Sequence, residues 1–202
     1  MDGVRYVLAL LLVVVLPAGL SMWFVIHPFA SFWRRYNPAI TYSVVLAVAA
    51  VVGGALYHSR ETLMATEFGF SWLLTVIGVV CLTLSVVLER RYRQQIKVST
   101  LFGLPEVSAT RQSELLTEGI YSEIRHPRYL GLVLEISAFA LFANYLAAYM
   151  VVVAIIPVLG VTVLLEEREL LQRFGEEYVQ YAQKVPRFIP RSWRERGRGD
   201  LS

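Results

Sequence analysis

Three times in its first 90 residues the chain runs for about twenty residues with almost no charge: Val4 to Ile26, Ala39 to Tyr57 and Phe70 to Leu88. A hydrocarbon core of about 30 Å takes roughly 20 residues of helix to cross, and only a helix satisfies its own backbone groups there. These runs therefore predict three transmembrane helices. They also exclude an ordinary soluble domain: 17% of the 202 residues are charged and 56% are hydrophobic, whereas a soluble chain is about a quarter charged. A cleaved signal peptide competes for the first run. Its apolar character continues past Pro17 through Met22-Trp23-Phe24-Val25-Ile26 without a small-x-small cleavage site, which favours a retained span. In the second run, Gly53-Gly54 would let a neighbouring helix approach closely.

Beyond Leu88 the third run stops at Glu89-Arg90-Arg91-Tyr92-Arg93, and the chain stays polar to Tyr121. A last apolar region, Arg128 to Tyr149 and Met150 to Leu165, is interrupted only by Asn144-Tyr145. That break suits the turn of a tight helical hairpin, each arm short for a full span, with Pro157 expected to kink the second arm. After Glu166-Glu167, Leu171, Phe174, Tyr178 and Tyr181 recur at helical spacing and predict an amphipathic helix along the interface. The expected fold is an all-α polytopic membrane protein of five apolar helices, the last two a hairpin, followed by that interfacial helix. Residues 1–88 form the three N-terminal spans, and 89–202 the loop, hairpin and tail. With five spans, every basic residue except Arg5 and Arg60 falls on one side. The bias predicts a cytosolic C-terminus and an N-terminus outside, with tail arginines such as Arg187, Arg191 and Arg194 resting on acidic headgroups.

Several function classes drop out. Cys81 is the one cysteine, and His27, His58 and His126 lie in separate segments without ligand spacing, so no metal site is expected. A net charge of +3, with basic residues beside hydrophobic spans, points to membrane lipids as partners and away from nucleic acid. No glycine-rich phosphate loop or dinucleotide fingerprint follows a strand-like run.

The chemistry-bearing residues gather in two clusters. In Arg125-His126-Pro127-Arg128-Tyr129 a helix begins, with Pro127 suited to the first helical position. A helix start offers free N–H groups to a carboxylate or phosphate, and Arg125 or Arg128 would strengthen that seat. The same side chains would also serve as plain interfacial anchors. In the second cluster, Glu166 and Glu167 point about 100° apart on a helix, so at most one faces the bundle interior. The hairpin would bring Glu166 near His126, where a carboxylate suits a cationic ligand group. Glu135, two turns into the first arm among Leu, Val and Ile, is an intramembrane carboxylate that is either functional or structural.

Taken together, Gly119-x-Tyr121, Arg125-His126-Pro127-x-Tyr129-x-Gly131, Glu166-Glu167, Phe174-Gly175-x-x-Tyr178-x-x-Tyr181 and Val185-Pro186-Arg187-x-Ile189-Pro190 resemble the C-terminal half of the isoprenylcysteine carboxyl methyltransferase family. Related membrane phospholipid methyltransferases share the pattern. The resemblance covers about residues 110 to 190. It implies a multi-span enzyme that uses S-adenosylmethionine in a cytosol-facing cavity and takes a lipophilic or prenylated substrate from the bilayer. Carried over by position, the implied cofactor contacts are Ser113, Glu114, Leu115, Leu116, Tyr121, His126, Pro127, Arg128, Tyr129 and Glu166. The first four rest on distance from Tyr121 alone. Where the family places a substrate-binding arginine, this chain has Thr162, which puts a prenylcysteine carboxylate in doubt as substrate; Thr162 and Glu167 are the candidate substrate-side positions. An amine or thiol acceptor would need a base, for which His126 or Glu135 is the candidate; Arg125, the third catalytic candidate, could instead take the missing arginine's role. Two other functions fit the spans: a membrane reductase using NADPH on a lipophilic ring substrate, and a non-enzymatic transport or assembly protein.

Overall fold

The computed structural model describes residues 2–26, 30–33, 36, 38–94 and 115–190. Among them the chain is all-helical apart from one isolated bridge between Glu67 and Tyr145. Four helices are long and apolar enough to cross a membrane.

The first span is built from α1 (Asp2–Leu10), a π-turn (Leu11–Val15) and α2 (Leu16–Ile26). The π-turn lies just ahead of Pro17, whose ring would clash with the carbonyl of Val13 in a regular α-helix; one wide turn relieves that clash without ending the span. After the short α3 (Ala30–Trp33) comes α4 (Pro38–His58), which packs on the first span where Gly53 lies against Ala18. The Gly53-Gly54 expectation is met on one side only, because a Cβ on Gly54 would meet nothing. A single turn, α5 (Arg60–Leu63), precedes α6 (Trp72–Arg93). Ser71 caps α6 through the amide of Leu74.

α6 does not stop at Leu88, as its charges suggested, but continues through Arg93. An amphipathic last turn explains the difference. Tyr92 is buried against Ile120 and Ile124, while Arg91 reaches out to pair with Glu123. A 3₁₀ turn (Gly119–Ser122) then leads into α7 (Pro127–Ala143), which is apolar but only 17 residues long. α6 and α7 pack closely. A Cβ at Gly78 would come within 2.6 Å of the Phe142 ring, and the Ser85 hydroxyl donates to the Gly131 carbonyl at 2.9 Å.

Asn144, left-handed at φ 55°, closes α7, and α8 (Leu146–Phe174) begins two residues later. The first arm thus ends at Ala143, short of Tyr149. The second runs unbroken through Pro157 and past Leu165 for 29 residues, so Glu166 and Glu167 lie inside a helix instead of at its end. α9 (Glu176–Lys184) follows after Gly175, whose φ of 55° and ψ of −125° suit only a residue without a Cβ. The predicted amphipathic helix is therefore two pieces, and its Tyr178 is buried.

One buried cation ties the far end of the bundle together. Arg5 is 4% exposed. Its Nε donates to the Ala143 carbonyl at 3.1 Å, and its NH1 pairs with Glu67 at 2.7 Å and Asp2 at 3.3 Å. The loop bearing Glu67 is pinned to the α7–α8 link by Phe68 N–H to Asn144 O, Leu146 N–H to Thr66 O and Asn144 Nδ2 to Gly69 O. Arg5→Met would leave Glu67 and the Ala143 carbonyl without this donor. We expect a loss of about 2 kcal/mol, read as a fall of roughly 5 °C in the unfolding midpoint of detergent-purified protein. An unchanged midpoint would show the cluster to be incidental.

Candidate active site

At the opposite end, the start of α7 meets the last turns of α8 and the segment after α9. The segment is held in place by its backbone: the amides of Arg125 and His126 donate to the carbonyls of Pro186 and Arg187 at 2.9 and 3.0 Å. The Tyr181 hydroxyl adds a third tie, to the Tyr121 carbonyl at 2.7 Å. These bonds bring side chains from three separate stretches around one carboxylate.

That carboxylate is Glu167, 9% exposed. Arg187 grips it with Nε at 3.0 and 3.1 Å and NH2 at 2.6 Å. Arg125 NH1 lies 2.7 Å from Oε1 and also donates to the Tyr178 hydroxyl at 3.1 Å. His126 Nε2 is 3.1 Å from Oε1. Burying an ionised carboxylate is costly unless it is paired and hydrogen-bonded, and two guanidiniums and an imidazole meet that requirement.

His126 is itself 4% exposed, its ring between Tyr129 at 5.9 Å and Phe188 at 6.0 Å. Burial lowers its pKa from the ordinary value, although Glu166 and Glu167 pull the other way. Its Nδ1 lies 3.7 Å from Glu166 Oε2, whose side chain is 44% exposed. Burial raises the Tyr121 and Tyr181 hydroxyl pKa values, so both phenols stay neutral. Beside the network lies an open groove of about 430 Å³ lined by Arg125, Glu167, Arg168, Leu171, Tyr178 and Arg187, among others.

The family match bears on this half of the chain. The phospholipid methyltransferase family matches residues 73–177, over half of the sequence. The chain belongs to the phospholipid methyltransferase family. A probable protein-S-isoprenylcysteine O-methyltransferase of Oryza sativa subsp. indica is 27% identical over 164 residues, 80% of this chain and 85% of that protein. Protein-S-isoprenylcysteine O-methyltransferase B of Arabidopsis thaliana is 33% identical over 88 residues, 43% of this chain; the chain matches 45% of that relative's length. Methanethiol S-methyltransferase 1 of Bradyrhizobium diazoefficiens is 34% identical over 100 residues, 46% of this chain and 34% of that protein. No solved structure matches the chain. It is a methyltransferase by family, and its four apolar helices make it an integral membrane protein.

For this phospholipid methyltransferase family member, the structure groups Arg125, His126, Glu166 and Glu167 and leaves other candidates apart. Tyr121 lies within electrostatic reach of both Glu166 and Arg128. Pro127 is fully buried at the helix start and Tyr129 flanks His126. Leu115 is half-buried and Leu116 is 40% exposed. Ser113 and Glu114 lie outside the described residues. Glu135 is half-buried in the body of α7, near Glu89 of α6, and is not part of the Glu167 network. Thr162 is buried and its hydroxyl donates to the Val158 carbonyl of its own helix, so that position brings no charge to the site. Among the described residues no group of His, Cys, Asp and Glu is arranged to hold a metal.

Two partners escaped the sequence. Arg187 turns back onto Glu167, where the sequence had placed it on lipid headgroups, and Tyr178 meets Arg125; Arg191 and Arg194 lie outside the described residues. The signal for Arg187 was its setting, a single charge within Val185-Pro186-Arg187-Phe188-Ile189-Pro190.

Because folding depresses the His126 pKa, the unfolded chain takes up a proton below pH ~6.5 that the native ring refuses. The stabilising contribution is therefore full above that pH and is lost as pH falls through the lower folded value. His126→Asn should flatten the fall in thermal midpoint below about pH 6.5; an equally steep fall in the variant would assign it to other groups. Glu167→Ala should cost on the order of 2 kcal/mol, since it takes this acceptor from the largely buried Arg125 and His126 while the half-exposed Arg187 can turn to solvent, and Glu166→Ala well under 1. Chemical denaturation of the pair in mixed micelles reads the difference.

Proposed function

We propose that the protein transfers a methyl group from S-adenosylmethionine to a lipophilic acceptor at the end of the bundle that carries His126 and Glu166. The observation that carries this reading is the pairing of a neutral buried imidazole with a half-exposed carboxylate 3.7 Å away, beside a fully paired Glu167. This end faces the cytosol in the proposed arrangement, with the N-terminus outside, and residues 89–202 act as the functional region on three N-terminal spans. α7 and α8 would form the hairpin and complete the five-helix bundle.

The residues present fit the cofactor's charges. Glu166 retains acceptor capacity for an ammonium. The N-cap His126 makes no side-chain capping bond and Pro127 has no N–H, and exposed Arg128, with its amide and guanidinium at this helix start, is the donor for a carboxylate. Bound there, S-adenosylmethionine would supply an electrophilic methyl on a sulfonium sulfur. The protein's part is to place that carbon about 3 Å from the acceptor's lone pair and exclude water, and no covalent enzyme intermediate is needed. A carboxylate acceptor, as in isoprenylcysteine, needs no base but needs a cation, and Thr162 brings none. A lipid amine or thiol must give up a proton, and His126, held neutral, can take it.

Calorimetry on detergent-purified protein should show saturable S-adenosylmethionine binding, weakened roughly tenfold or more by Glu166→Gln or His126→Ala. Isotopically labelled methyl groups should then appear in lipid extracts, detected by mass spectrometry. Folded wild-type protein without saturable binding would overturn the reading.

A further inference from the structure

Glu167 borders the groove, but its carboxylate oxygens are already engaged. Its Oε1 meets Arg187 Nε, His126 Nε2 and Arg125 NH1, and its Oε2 meets Arg187 Nε and NH2. A carboxylate offers about four lone-pair sites, and these contacts fill them. Its role must therefore lie in what it does to its neighbours. A carboxylate between two guanidiniums is ionised and can only accept, so His126 Nε2 must be the donor of that pair. Burial leaves the resting ring with one proton at neutral pH, and with it on Nε2 the Nδ1 lone pair is bare. That nitrogen faces Glu166 Oε2 at 3.7 Å, too far for a hydrogen bond and with an acceptor on each side.

We propose that Glu167 and Arg187 are positioning residues: they lock His126 as its Nε2–H tautomer, with Nδ1 turned toward Glu166, so that the two acceptors share one donor group of a bound molecule. Which of two imidazole nitrogens carries the proton is set by the partner of the other. Here that partner is held by the same segment that fixes the ring's backbone, since Arg187 both grips Glu167 and accepts from the His126 amide. Tyr129 and Phe188 flank the ring and resist its turning over. The charged groups facing the imidazole are Glu166 and Glu167 from α8 and the adjacent Arg125; Arg187 acts through Glu167. The methyltransferase reading enters only in the identity of the bound molecule; the tautomer follows from the geometry.

Full-length protein labelled with ¹⁵N-histidine in detergent tests this through long-range ¹⁵N–¹H correlation, His27→Gln and His58→Gln variants assigning the other two rings. At neutral pH His126 should show a protonated Nε2 and a bare Nδ1. Glu167→Gln and Arg187→Gln should give mixed tautomers and a methyl-transfer rate roughly tenfold lower, the usual cost of losing an orienting partner. Arg187→Lys should recover most of both. A wild-type ring protonated on Nδ1, or Gln variants with the wild-type pattern, would overturn the proposal. A locked ring in protein that binds no S-adenosylmethionine upholds the positioning and sinks the functional reading; cofactor binding to an unlocked ring does the reverse.

Discussion

A single buried carboxylate organises this molecule's chemical end. Glu167 sits at the edge of an apolar bundle where an unpaired charge would cost several kcal/mol, and it is tolerated because Arg125, Arg187 and His126 converge on it. Those three come from the start of one helix and from the segment beyond another. The pairing thus draws together regions about 20 to 40 residues apart along the chain, and the backbone bonds between 125–126 and 186–187 add to the same convergence. Specificity of arrangement is the best-attested use of buried ionic groups, and the site here fits that use better than it fits a contribution to net stability.

The far end of the bundle is built by the same logic with the signs reversed. There a buried arginine collects carboxylates and a helix-ending carbonyl. Between the two polar ends, the helices touch through small residues: Gly53 against Ala18, Gly78 under Phe142, and Gly131 bonded to Ser85. Most of the large apolar side chains of α4 and α6 remain exposed, which in a bilayer leaves them to lipid.

The spans were legible because their signal is long and needs no partner: about twenty uncharged residues can do little else but cross a membrane. Helix ends were less so. Charges at Glu89 and Glu166 read as stops, yet both helices run on, since Tyr92 and Glu167 find burial on one face while their charged neighbours take the other. His126 and the Glu166-Glu167 pair stood out from composition alone. Which of the two carboxylates turns inward depended on the rotational phase of α8, and that is set by packing. Arg187 was hidden by the tail's other arginines; its role depends on a pairing between distant segments that no local pattern encodes.

The segment carrying Arg187 follows α8 in order of synthesis. While α8 is being inserted, Glu167 has no Arg187 to meet it, so it must wait at the aqueous margin. Its neighbours Glu166, Arg168 and Glu169 keep that stretch of helix hydrated in the meantime. Completion of the Glu167 network is consequently separated in time from the integration of α8 into lipid.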